Sequence, residues 1–165
     1  MENKDIIING EEDYGPYYKE HLLKQYHTYI NGIDKVSQQR QKTNDFFLTI
    51  NTAALAFMGV MNKAIENDSP FLTFAVSLFG IVLCVIWYRL IRTYRDINRG
   101  KYQILHKLEE KLPAALYKAE WEVLGKGADH KRYLPISHVE IKIPLIFIAF
   151  YLLLVAVIYL PYILG

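Results

Sequence analysis

The chain has 165 residues, enough for one domain, with 52% hydrophobic residues and a formal net charge of +2, so no basic or acidic excess marks it for a nucleic-acid partner. Its single cysteine, Cys84, excludes an intrachain disulfide. The apolar residues fall in three blocks nearly free of charge, about Phe46–Met61, Phe71–Trp87 and Ile143–Leu164, the pattern of membrane spans and not of a soluble core.

In chain order, MENKDIIINGEEDYG is acidic and lacks the basic and apolar regions of a signal peptide, so residues 1–16 read as a flexible cytoplasmic tail. After Gly15-Pro16, Leu22, Tyr26, Tyr29, Ile33 and Val36 recur at alternating spacings of 4 and 3, and Arg40, Thr43, Phe47 and Ile50 continue the rhythm. This heptad seam predicts one helix from about Tyr17 to Met61, about 70 Å long. Its packing partner is either this protein's own later helices or another subunit. Gly32 weakens it locally.

The first block, KTNDFFLTINTAALAFMGVMNK, has a mainly apolar stretch of about 16 residues, or ~24 Å of helix against a ~30 Å hydrocarbon core. The charges decide its status. Six Lys or Arg precede residue 46, one (Lys63) lies between the first two blocks, twelve run from Arg89 to Lys142, and none follow. That division of eighteen to one follows the positive-inside rule only if the block crosses. The expected spans are 44–63, 70–90 and 142–164, with the N-terminus and the helical segment 91–140 cytoplasmic, the loop NKAIENDSP outside, and the C-terminus outside. Residues 17–165 then form a single helical membrane domain. The fold class is all-α, an integral membrane protein with three transmembrane helices and long cytoplasmic extensions.

Beyond the second span, Ile97, Ile104, Leu105, Leu108 and Leu112 form an apolar stripe that Pro113 is expected to end. A short helix is expected over PAALYKAEWEVLG, with Pro113 in its first turn, Leu116, Trp121, Val123 and Leu124 as anchors, and Gly125 and Gly127 closing it. Ser137-His138-Val139-Glu140 matches a capping box with Ile136 and Ile141 as its hydrophobic staple, so the third helix should start at Ser137 and kink at Pro144.

Asn51 is the polar residue most in need of a partner within a span. With Thr49, Thr52, Gly59, Thr73 and Ser77 it forms a set of candidate inter-helix or pore contacts. Arg89, Arg92, Arg95 and Arg99 follow the second span at headgroup level, where they would contact lipid, including anionic lipid, or simply fix topology beside an aromatic belt of Trp87 and Tyr88. Arg92 with Asp96 is spaced for an i,i+4 ion pair, and Asp45 with Arg40 or Lys42 at the inner mouth reads as a solvated interface cluster and not an ion site. The five histidines show no metal-ligand spacing, GKG at 125–127 is no phosphate loop, and Glu109, Glu110, Glu120 and Glu122 read as surface acids. No catalytic, cofactor or metal site is expected, and the chain reads as non-enzymatic.

The segments HLLKQYHTYI, DKVSQQRQKTNDFFLTINTA, WYRLIRTYRDINRGKYQILHKLEEKLPAALYKAEWEVLGKG and YLPISHVEIKIPLIF resemble the RipA-like family of small octameric bacterial inner-membrane proteins over about residues 17–155. The resemblance implies a homo-octamer in the inner membrane, attached to envelope-associated processes, with no functional residues to transfer. A looser likeness is to the two-span effector domains of bacterial conflict systems, which implies a pore; the third span departs from that plan. The expectation is therefore a non-enzymatic oligomer acting as a membrane scaffold, with a pore- or channel-forming protein as the alternative.

Overall fold

A computed structural model describes residues 6–64, 70–127 and 139–164. Its helices are α1 (Glu11–Tyr14), α2 (Tyr18–Ala64), α3 (Pro70–Glu109), α4 (Leu116–Val123) and α5 (Lys142–Leu164), with a 3₁₀ turn at Gly125–Gly127. Among the described residues all regular structure is helical, and α2, α3 and α5 each carry a window long and apolar enough to cross a membrane. The protein is an all-α, multi-pass membrane protein with three spanning helices. The chain divides into two compact units, one of Met1–Gln38 and Tyr94–Pro135, the other of Gln39–Thr93 and Ile136–Gly165. The helices α2 and α3 contribute to both.

The first unit is held by the seam of α2. Leu22 and Ile33 are buried, as are Leu105 and Leu108 of α3. The Lys101 ammonium lies 4.9 Å from the centre of the Tyr29 ring, a cation–π contact, and stands 3.4 Å from where a Cβ on Gly32 would be. The glycine that interrupts the seam therefore leaves room for a cross-helix lysine.

Glu109 closes this unit. Although its sequence reads as a surface acid, the side chain is 1% exposed. Its two oxygens accept the backbone N–H groups of Tyr117, 2.8 Å, and Lys118, 2.9 Å. These lie in the first turn of α4, whose N-cap, Ala115, has no side chain able to bond. The last residue of α3 thus supplies the missing cap, with an acid at the positive end of the helix dipole. The Tyr26 hydroxyl donates to the same carboxyl group at 3.3 Å; burial, and next the Glu109 charge, push this phenol above its ordinary pKa, so it remains a donor at neutral pH. Beside it Lys118 Nζ pairs with exposed Glu110 at 3.0 Å, which raises the lysine and lowers the acid.

The cap explains a shift in boundaries. α3 ends four residues before Pro113, in a tight turn where Lys111 N bonds Leu108 O and Leu112 N bonds Glu109 O, and α4 begins at Leu116 and not at Pro113. Leu116 and Val123 are exposed and do not anchor α4. Its end is as expected, with Gly125 at φ 71° in the left-handed conformation that a C′ glycine supplies.

The second unit has a core of Phe47, Trp87 and Ile91, against which Ile50, Leu83, Ile141, Ile143 and Phe147 pack. Trp87 is no interfacial belt residue: it is 1% exposed, stacks on Phe47 at 5.8 Å and donates its indole N–H to Asn44 Oδ1 at 2.9 Å. The expected kink at Pro144 falls earlier. Val139 and Glu140 are helical, Ile141 is a turn, and α5 starts at Lys142. Proline cannot donate to the carbonyl four residues back, which is that of Glu140, and its ring crowds that carbonyl; the chain breaks there and Pro144 sits in a new first turn, where the missing N–H costs nothing. Asp45 is exposed, as a solvated cluster requires, while Arg40 turns away from it and lies 3.6 Å from Glu140. The capping residue Ser137 and the staple residue Ile136 lie outside the described residues.

Replacing Glu109 by Ala leaves two N–H donors without an acceptor, a loss of about 1–3 kcal/mol. Hydrogen exchange across residues 116–124 should accelerate by roughly ten- to a hundredfold, with Glu109→Gln in between; unchanged exchange in the Ala variant would remove the capping role.

Candidate functional site

An amide in hydrocarbon that finds no partner costs several kcal/mol, and Asn51 sits in the apolar part of α2 with no exposed surface. Its Nδ2 donates to Phe47 O one turn back, 2.8 Å. Its Oδ1 faces two other helices. It accepts the Tyr151 hydroxyl of α5 at 3.2 Å and the Cys84 thiol of α3 at 3.3 Å. The Tyr151 hydroxyl also lies 3.4 Å from the Asn51 backbone carbonyl, so its proton is shared between both oxygens of one residue. Asn51 is therefore the point at which all three spans are joined by hydrogen bonds.

Tyr151 reaches Asn51 only because Gly80 of α3 has no side chain. A Cβ built on Gly80 would overlap the Tyr151 ring and hydroxyl. Tyr151 is fully buried in the resulting contact. The requirement here is for space, not for an unusual backbone, since Gly80 lies within regular helix.

Asn51 is the middle member of a series. Asn44 accepts from Trp87 at 2.9 Å, and Asn62 donates to Thr73 at 3.4 Å. Along α2 the three asparagines are 7 and 11 residues apart, both close to whole numbers of helical turns, which keeps them on one face. Their partners on α3 are Trp87, Cys84 and Thr73, in descending order as antiparallel helices require. At the far end of the pair with α5, the Tyr159 hydroxyl donates to the Pro70 carbonyl in the first turn of α3 at 3.2 Å, a direct hydrogen bond between these two spans.

Of the candidate contacts, Asn51, Thr73 and Ser77 are buried. Thr49, Thr52 and Gly59 are exposed on the subunit's surface, and Thr52 turns its hydroxyl back to Leu48 O at 2.8 Å. A Cβ on Gly59 would meet open space. Arg89, Arg92 and Arg99 are exposed and Arg95 half-buried. Arg92 lies over the Tyr88 ring at 5.9 Å, and Asp96 pairs with Arg95 at 3.7 Å, not with Arg92. Tyr151 was not singled out from the sequence; its signal is a phenol in the middle of the most apolar span, far from either interface. Asn44 and Asn62 are visible in the sequence as companions of Asn51 seven and eleven residues away.

The arrangement has the chemistry of a clamp: neutral donors and acceptors paired inside an apolar bundle, with no acid–base pair among them. Among the described residues no group of three or more His, Cys, Asp or Glu could hold a metal ion. The sequence model of the octameric membrane protein family matches residues 23–160, a stretch that includes every residue of the clamp. No curated protein and no solved structure matches the chain.

Tyr151→Phe should cost about 0.6 kcal/mol and at most about 1.7, the range of interhelical hydrogen bonds in membranes. Gly80→Ala should cost more, because the ring must leave. Combined with Tyr151→Leu, Gly80→Ala should lose most of its added effect, a non-additivity measurable as a double-mutant cycle of thermal unfolding in detergent; additive losses would show that the two residues do not share the contact.

Proposed function

The chain belongs to the octameric membrane protein family, and we propose that it acts as a homo-octameric scaffold of the bacterial inner membrane, serving envelope-associated processes without catalysis of its own. The observation that carries this reading is the clamp at Asn51. It pairs Asn51, Cys84 and Tyr151 inside one subunit, while the outer faces of the spans offer lipid or a neighbour mainly apolar side chains, among them Phe57, Phe71, Phe79, Ile146 and Val157. Such a subunit is suited to assembly, not to transport through its own centre.

In this reading the N-terminus and the segment after α3 are cytoplasmic and the C-terminus is on the other side, as the eighteen-to-one division of basic residues favours. The exposed Arg89, Arg92 and Arg99 then meet anionic headgroups, each contributing about 1 kcal/mol. A pore is the second reading. It is favoured by one observation, the exposure of Thr49 and Thr52 on a span; an axial lumen in the octamer would be lined by these and not by Asn51.

Native mass spectrometry from lipid nanodiscs should give eight copies of the 19.3 kDa chain, and a monodisperse monomer would end the proposal. Replacing Arg89, Arg92 and Arg99 together by Gln should weaken retention of anionic lipid by roughly a hundredfold, read in the same spectra. The pore reading requires single-channel conductance that changes with Thr49→Leu; silence under varied voltage and tension leaves the scaffold.

A further inference from the structure

We propose that the octamer is a cyclic ring whose subunits meet, outside the spans, through the Ile97–Gly100–Ile104 edge of α3 on one copy and the Leu116–Ala119–Val123 edge of α4 on the next. This rests on the octameric reading above and goes further, by naming the surface. Copies inserted by the same charge rule all share one orientation across the bilayer. Their symmetry axis must then stand normal to the membrane, which excludes the dihedral octamers that would invert half of the subunits. A cyclic ring larger than a dimer uses heterologous contacts, so every subunit needs two different, complementary patches.

The first unit carries two such patches. Ile97 and Ile104 are 43% and 40% exposed, and Leu116 and Val123 are 68% and 69% exposed. All four follow Arg89, Arg92 and Arg95 in the chain, beyond the apolar run of the second span, where acyl chains do not shield them. Within each pair the residues are seven apart and so lie along one line of their helix. Each pair brackets a small residue, Gly100 or Ala119, at the third position, so both edges read large, small, large. A Cβ on Gly100 would meet nothing within 4 Å, which leaves a notch able to admit a side chain from a neighbour.

The two edges also point different ways. Arg99, Tyr102, Gln103 and His106 of α3 line a cavity of about 460 Å³ together with residues of α4, which places α4 on that side of α3. At about 100° per residue, the line through Ile97 and Ile104 runs roughly half a turn away. One edge thus faces one neighbour and the other the next, as ring closure demands.

The test uses two full-length variants, Ile104→Cys and Val123→Cys, carrying different tags and reconstituted together in lipid nanodiscs. Treated with a flexible bismaleimide, the mixture should give a cross-linked pair containing both tags, and neither variant alone should cross-link. The double variant should give a ladder ending at eight. Same-tag dimers from either variant alone, or no mixed pair while native mass still reads eight copies, would overturn this surface and leave the octamer standing. Loss of the eight-copy mass from the unmodified protein would overturn the octamer itself. Because Ile104→Cys could itself unsettle assembly, Gly100→Leu provides a second arm: filling the notch should cut the eight-copy population at least tenfold, and an unaffected population counts against the interface.

Discussion

The fold depends on the need of one side-chain amide, placed in hydrocarbon, for hydrogen-bond partners. Asn51 cannot be left alone at that depth, and its three contacts come from its own helix, from α3 and from α5. Apolar packing between spans is weakly directional, because lipid tails are as apolar as leucine. A polar contact is different: it is satisfied at one register and fails at others. Asn51 therefore sets where α3 and α5 stop sliding along α2, while Asn44 with Trp87 and Asn62 with Thr73 repeat the same control towards the two ends.

The first unit follows a parallel rule in a different solvent. There the costly groups are the unpaired N–H donors at the start of α4, and a buried acid from the preceding helix accepts them. In both units a single polar side chain from one helix satisfies groups on another, so that connection and orientation are fixed together. Apolar residues such as Trp87, Ile91, Leu105 and Leu108 then fill the space that these contacts define.

Much of this was legible in the sequence. Three blocks without charge, the division of lysine and arginine, and an unbroken heptad rhythm lead to three spans and to a long helix at Tyr18–Ala64. Asn51 announces itself because polarity inside a span is rare. What the sequence hid were partners distant along the chain. Tyr151 is one hundred residues from Asn51, and nothing local ties it to Gly80. Glu109 resembles its neighbour Glu110 in every local respect, and only the path of the chain after Leu112 buries one and exposes the other. Trp87 looked like a belt residue because its position along the span suits one; the direction of its side chain, set by Asn44, does not.

The gap at Gly80 has a consequence for biogenesis. The first two spans follow one another closely, and can pair as soon as both are inserted, through three asparagines and their partners on α3. At that stage Asn51 Oδ1 has only a thiol to accept from, a weak donor, and the Gly80 surface is bare. The third span emerges more than thirty residues after α3 ends, and its tyrosine covers the glycine and supplies the strong donor in a single docking event. The molecule thus carries an internal record of whether synthesis and insertion have been completed: a chain lacking its last helix displays an unfilled polar groove to the bilayer, a feature that separates the unfinished subunit from the finished one before any assembly begins.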